Sequence, residues 1–209
     1  SCTITGLTNG TSYSFSTVAN NATGSSSGSA SSGSVSPAGK PGVPTGVTAS
    51  IGNGSATVSL TPPTNTGGPA ITSYTITSSP GGATCEVIPS ATSCNVPGLS
   101  NGTAYTFKVV ATNGIGSSLE SNASNSSTPS TVPNAPTTVS AAVGDAEATI
   151  SFTAPANNGG SSITGYTVTA SNGATITGST SPLTISGLTN GTAYTFTVKA
   201  TNNNGDSVA

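Results

Sequence analysis

The chain has 209 residues, of which only 4% are charged, and its formal net charge is −2. Ordinary globular chains carry about 25% charged residues, so Ser, Thr, Asn and Gly must supply most of the polar surface. With three lysines and no arginine, the chain lacks the basic surface that binding to nucleic acid or to an anionic membrane requires.

One phrase of the sequence occurs three times. Its copies are GLTNGTSYSFSTVANNATG from Gly6, GLSNGTAYTFKVVATNGIG from Gly98 and GLTNGTAYTFTVKATNNNG from Gly187. Repeat units of solenoids are about 20–50 residues long, and these copies lie much further apart. The sequence therefore predicts domains in series, with a C-terminal remnant of a module at 1–40, a complete module at 41–130 and a third at 131–209 that lacks most of its last strand.

Each of the two larger modules begins with a predicted edge strand, VPTGVTASIG or APTTVSAAVG. A proline is tolerated at the start of an edge strand, where not every N–H has to donate. Two further strands, separated by a Pro/Asn/Gly loop, follow from Ser55 and from Glu147. The linkers around Pro37–Pro44 and Pro129–Pro136 are short and proline-containing, which predicts semi-stiff joints.

The repeated phrase alternates with a period of two, which is typical of a half-buried antiparallel strand. Tyr105, Phe107 and Val109 are predicted to face the core, and the third copy repeats the pattern from Tyr194. An Asn-Gly pair before each strand supplies the chemistry of a turn with positive φ. About seven short strands rich in Thr and Val, with no helical period, predict an all-β fold of tandem immunoglobulin-like two-sheet sandwiches.

Cys85 and Cys94 flank EVIPSATS, a spacing that suits a disulfide between neighbouring strands. The alternative is a pair of buried free thiols, and a metal site is not indicated because the chain has no His and only three Cys. Ile176 and Leu183 occupy the corresponding positions of the third module, so the cysteines are predicted to be structural. Cys2 aligns with Cys94, and its partner would precede Ser1, which predicts an unpaired cysteine in a truncated module.

The chain resembles tandem fibronectin type III modules of bacterial secreted or cell-surface proteins over essentially its whole length. The resemblance rests on PTGVTA from Pro44, TPP from Thr61, ITSY from Ile71 and GLSNGTAYTFKVVATN from Gly98. It departs from the family where Leu60 and Phe152 stand in place of a tryptophan that the family often has at the end of its second strand.

The resemblance implies that Tyr13, Tyr105 and Tyr194 are corner tyrosines, whose hydroxyl groups bond nearby backbone. It also leaves both ends of the chain incomplete. We expect a segment cut from a longer array, and the alternative is that neighbouring chains complete the modules by strand addition.

Candidate catalytic groups are sparse. Asp145 and Glu147 are the only carboxylates close in sequence, and they flank a predicted turn with both side chains in solvent, whereas a glycosidase needs its two acids in a cleft. Without His, the many serines have no imidazole base. The glycines of Asn65–Gly68 and Asn158–Gly160 lie in loops between strands, not in a phosphate-binding turn before a helix. Asn202–Asn204 with Asp206 is too weakly charged for calcium.

Seven Asn-X-Ser/Thr sequons occur, at Asn9, Asn21, Asn53, Asn101, Asn122, Asn125 and Asn190. Those at Asn9, Asn101 and Asn190 are interpreted as turn residues, and glycosylation of the others remains open. A carbohydrate-binding module would need an exposed aromatic platform, but the five Tyr and four Phe lie at predicted core or corner positions.

The sequence predicts a non-catalytic structural or interaction segment of an extracellular or cell-surface protein, such as a stalk, filament, surface layer or adhesin. The alternative is a spacer in a secreted polysaccharide-degrading enzyme. Expected partners are like chains or neighbouring modules and a cell-surface or glycan ligand. No cofactor, metal, nucleic acid or membrane insertion is expected.

Overall fold

The computed structural model describes every residue from Ser1 to Ala209. Its elements are β-strands throughout, so the predicted all-β fold is confirmed. A helix of the length and apolarity needed to span a bilayer is absent. The strands form sheets of two, three and four members.

The chain divides into two compact units. The first contains Ser1–Ala49, Val58–Asn95 and Thr106–Asn125, and the second contains Ser50–Thr57, Val96–Tyr105 and Ser126–Ala209. Each unit therefore contains one of the two proline-containing linkers. The contacts described below for each linker lie within its own unit.

Strands of residues 1–130 are β1 Asn20–Asn21, β2 Gly24–Ser25, β3 Thr45–Gly52, β4 Ser55–Thr61, β5 Ile71–Ser79, β6 Thr84–Val87, β7 Ser93–Pro97, β8 Thr106–Asn113 and β9 Gly116–Ser117. Strands β1 and β2 pair as a short hairpin. The others form a three-stranded sheet in the order β3-β4-β7 and a four-stranded sheet in the order β6-β5-β8-β9.

Strands of residues 131–209 repeat this pattern. They are β10 Thr137–Val143, β11 Glu147–Thr153, β12 Gly165–Ala170, β13 Thr175–Gly178, β14 Leu183–Ser186, β15 Phe196–Asn202 and β16 Gly205–Asp206. The sheet orders are β10-β11-β14 and β13-β12-β15-β16. Two sheets of three and four strands in this order form one sandwich.

Alternation along the strands places the core as the sequence predicts. Along β8, Phe107, Val109 and Ala111 are completely buried, while Lys108 between them is exposed. Successive side chains of a strand point to opposite faces, so one face of the strand is apolar and the other polar.

The core of 131–209 is centred on two facing strands. Ile150 on β11 and Val168 on β12 are completely buried, and Phe152 and Tyr166 pack with ring centroids 4.8 Å apart. Leu188 lies beneath the turn that precedes β15 and is also buried. Tilted aromatic pairs at this separation stabilise a core beyond the area that they bury.

The Asn-Gly turns are held by their own asparagine side chains. Asn101 accepts a hydrogen bond from the Gly54 N–H at 2.8 Å and donates to Asn53 Oδ1 at 2.8 Å. Asn190 repeats the arrangement with the Ala146 N–H and Asp145 Oδ1, both at 2.8 Å. The turns are thus fixed from within their own module.

Candidate functional site

Cys85 on β6 and Cys94 on β7 are joined in a disulfide with their Cα atoms 6.4 Å apart. Cys85 lies opposite Ile76 in the sheet, and Ile176 of the third module lies opposite Val168 in the same way. Ile176 packs against the core together with Leu183. A disulfide and an apolar pair therefore occupy equivalent places. Cys2 is free and exposed.

The three corner tyrosines make the same contact. The hydroxyl oxygens of Tyr13, Tyr105 and Tyr194 accept hydrogen bonds from backbone N–H groups five residues earlier, at 3.0, 3.1 and 3.1 Å. Donation to the oxygen favours the phenolate, and it lowers the pKa of Tyr13 and Tyr194 below the ordinary value. The contact fixes the turn before the strand, which is a structural role.

Asp145 and Glu147 do not form a paired-acid site. Both are exposed, and Asp145 accepts a hydrogen bond from Asn190 in the turn. A groove of about 320 Å³ lies beside Glu147 but not beside Asp145, and Val143, Tyr194 and Phe196 line it. No group of three or more His, Cys, Asp or Glu side chains comes together anywhere in the chain. The arrangement offers no nucleophile with a base and no metal site.

Several sequon asparagines use their side chains to hold turns or neighbouring backbone. The side chains of Asn101 and Asn190 both donate and accept hydrogen bonds within their turns. The Asn125 side chain bonds both the N–H and the carbonyl of Ala49. In each case the side-chain amide holds two stretches of backbone together.

The last segment of the middle module carries an arrangement that sequence reasoning missed, which we call the serine ladder. Ser118, Ser121 and Ser124 each accept a hydrogen bond through Oγ, at 2.9–3.0 Å, from the backbone N–H of Ala111, Val109 and Phe107 respectively. The same serines donate their own N–H to the carbonyl oxygens of these residues at 2.8–2.9 Å. Each hydroxyl takes the place of a backbone carbonyl in the sheet.

The ladder advances three residues for every two of β8. Each hydroxyl also donates to the carbonyl of the next residue, as Ser124 does to Asn125 at 2.7 Å. Two strand residues span about 6.6 Å, so the last segment rises by roughly 2.2 Å per residue against that strand. The extra residue at each step resembles a β-bulge that recurs along the whole segment.

The first module repeats the ladder, and the third module contains one equivalent contact. Ser26, Ser29 and Ser32 accept hydrogen bonds at 3.0 Å from the backbone N–H groups of Ala19, Thr17 and Phe15 respectively. In the third module, Ser207 accepts at 3.0 Å from the Ala200 N–H. In the first two modules, the ladder corresponds to serine at every third position after the repeated phrase.

Comparison with known proteins identifies the modules. The sequence pattern of the fibronectin type III domain matches residues 42–127 and 134–209. The chain belongs to the fibronectin type III family. The resemblance predicted from the sequence is therefore confirmed. The assignment of 1–40, 41–130 and 131–209 as module boundaries stays a prediction.

Two curated proteins resemble these fibronectin type III modules. Chitinase A1 of Niallia circulans is 41% identical over 133 residues, which cover 57% of this chain and 18% of the chitinase. A Kelch domain-containing protein of Saccharolobus solfataricus is 37% identical over 120 residues, covering 56% of this chain and 16% of that protein. The chain thus spans less than a fifth of the length of either relative.

Among solved structures, the FN1–FN3 domains of chicken CNTN1 match at 21% identity. The match covers 97% of this chain and 73% of that one, with a TM-score of 0.41. The chain itself is a tandem fibronectin type III segment, and these modules are non-catalytic.

Proposed function

We propose that the chain is a spacer array of a secreted protein that degrades polysaccharide. The single observation that carries the proposal is the 41% identity to a chitinase of which this chain covers only 18%. Since the modules hold no paired acids, no His and no metal cluster, catalysis would reside in other parts of such a protein. The earlier alternative, a spacer, is thus better supported than a filament.

The module structure supports a spacing role outside the cell. A sandwich braced by a disulfide between Cys85 and Cys94 is suited to an oxidising compartment, where disulfides persist. The surface carries three Lys and five acidic residues, which gives little electrostatic attraction for charged partners. A spacer needs stability and inertness more than affinity.

The test uses the natural full-length product and a variant lacking residues 42–133, which removes one module and its linker. Both proteins are assayed on a soluble chito-oligosaccharide and on insoluble chitin. We expect unchanged turnover of the soluble substrate and reduced turnover of the insoluble one. Equal loss on both substrates would contradict a spacing role, and a full-length product without glycosidase activity would overturn the polysaccharide part of the proposal.

A filament or surface layer is the second candidate. It is favoured by the 4% content of charged residues and the net charge of −2, because such a surface offers little self-repulsion. Sedimentation of the chain at increasing concentration separates the two: a filament subunit would assemble, whereas a spacer would stay monomeric.

A further inference from the structure

The two linkers are bound to the module that follows them through the same set of contacts. In the first, the Gly39 N–H donates to the Gly67 carbonyl at 2.8 Å, and in the second, the Thr131 N–H donates to the Gly159 carbonyl at 2.8 Å. Gly67 and Gly159 stand at equivalent places in the loop between the second and third strands of their modules. The linkers are therefore paired with this loop and do not run free.

One buried asparagine at the end of each penultimate strand completes the pairing. The Asn202 side-chain amide donates to the carbonyls of Thr131 and Asn158, both at 2.8 Å. Its oxygen accepts from the Asn204 N–H at 2.8 Å. Asn202 is 4% exposed, so every polar atom of this buried side chain is satisfied, and it joins linker, loop and strand.

Asn113 makes the corresponding contacts at the first linker. Its amide donates to the carbonyls of Gly39 and Thr66, both at 2.8 Å. Its oxygen accepts from the N–H groups of Ile115 and Gly116 at 2.9 and 3.1 Å. The same residue type therefore holds both linkers by the same two donors.

The preceding module touches this assembly through its Asn-Gly turn. The Gly10 N–H donates to the Pro37 carbonyl at 2.8 Å, and the Gly102 N–H donates to the Pro129 carbonyl at 2.9 Å. A Cβ at Gly68 would lie 2.8 Å from the Gly10 nitrogen. The two backbones approach too closely for any side chain between them.

The second glycine pair has the same restriction. A Cβ at Gly160 would overlap the Gly102 nitrogen, and a Cβ at Gly159 would overlap the Thr131 carbonyl oxygen. Both glycines also have positive φ, at 81° and 74°. Close backbone approach thus requires glycine at these positions independently of the loop conformation.

We propose that the Asn-Gly turn of one module and the Gly-Gly loop of the next form a module-recognition interface. Its partner is a module of this same kind, which presents two loop glycines and a buried asparagine that binds the linker. The interface makes each linker a fixed joint. This interface goes beyond the proposed spacing role, because it would be present whatever domain is attached to the array.

The turn is formed before docking. Asn190 makes the same two hydrogen bonds as Asn101, although the space around Gly191 is open and a Cβ there would meet nothing within 4 Å. A preformed surface loses little conformational freedom on binding, so the turn is suited to receive the loop of another such module.

The experiment measures backbone amide exchange in the full chain. Gly159→Ala is compared with Gly173→Ala, a glycine whose φ is 88° and whose Cβ would meet nothing within 4 Å. We expect the joint amide of Thr131 to exchange roughly two- to thirteenfold faster in Gly159→Ala, the range that corresponds to one lost backbone hydrogen bond. The core amide of Val168 should keep its protection in both variants.

A second pair of variants leaves the glycines intact. Asn202→Asp removes both donors and keeps the acceptor for Asn204, while Asn203→Asp adds the same charge at an exposed neighbour. We expect faster exchange at Thr131, and faster cleavage within 128–136 by a non-specific protease, only in Asn202→Asp. If each test variant exchanges at Thr131 like its control, or if Val168 loses protection by the same factor as Thr131, the proposal is wrong.

Discussion

Replacing one serine of the ladder tests whether its hydroxyl substitutes for a backbone carbonyl. In Ser124→Ala, the N–H of Phe107 loses the acceptor that lies 3.0 Å away. Phe107 is completely buried and Ser124 is 8% exposed, so water has little access to the freed donor. A buried unsatisfied donor costs about 1–3 kcal/mol, and we expect the free energy of unfolding of the middle module to fall by that amount.

The assay is urea unfolding followed by circular dichroism, combined with amide exchange of Phe107. A loss of 1 kcal/mol in the free energy of unfolding corresponds to a fall of about 4–8 °C in the melting temperature of a module of this size. Ser126→Ala is the matched control, because Ser126 lies in the same segment and is exposed. Exposed substitutions usually change stability by less than about 0.5 kcal/mol.

The double variant Ser121→Ala/Ser124→Ala extends the test. Ser121 accepts from the Val109 N–H at 2.9 Å, so the two replacements free different donors, and their losses should add to about 2–6 kcal/mol. The ladder would be refuted as a source of stability if Ser124→Ala unfolded like Ser126→Ala, with unchanged exchange at Phe107.

Three further predictions concern the modules themselves. Replacing both Cys85 and Cys94 by Ala should destabilise the middle module by about 2–3 kcal/mol, since the disulfide closes a loop of this short length; unchanged urea unfolding would contradict it. Tyr105→Phe should lower the free energy of unfolding by about 0.5–1.5 kcal/mol in the same assay, because the hydrogen bond from the Ser100 N–H is lost. An unchanged free energy of unfolding would contradict a stabilising role for this hydrogen bond. Burial raises the pKa of Tyr74. The neutral buried phenol therefore contributes fully to stability below the ordinary tyrosine pKa, and this contribution is lost as pH rises through the raised value. Tyr74→Phe should unfold at higher pH than the wild type, and unfolding at the same pH would contradict the role of Tyr74 ionisation.

Features set by local pattern could be predicted from the sequence. The alternation of side chains from Tyr105 to Ala111 predicted both the strand and its buried face. Successive side chains of a strand point to opposite faces, so only one orientation of the strand buries the apolar set. Equivalence of the cysteine pair with Ile176 and Leu183 also followed from aligned copies. The structure places Cys85 and Ile176 at matching positions on their strands, opposite Ile76 and Val168.

Features that depend on contacts between distant segments could not be predicted in this way. Asn113 and Asn202 end strands in the sequence pattern, and nothing local shows that their amides reach a linker more than 70 residues earlier in the chain. The serine ladder was hidden for another reason. Its period of three matches neither the helical nor the strand period, so a serine-rich stretch has the composition of a loop.

The ladder also determines where the sheet ends. A strand can be added to a sheet only if the outer edge presents N–H and carbonyl groups at the regular strand spacing. The ladder segment advances three residues for every two of its neighbour, and its hydroxyls are engaged with the carbonyls of Leu119, Asn122 and Asn125. The outer edge is therefore out of step with any regular strand. In a chain with so few charges to keep copies apart, this mismatch leaves the outer edge without the regular spacing that edge-to-edge pairing with the sheet of another molecule requires.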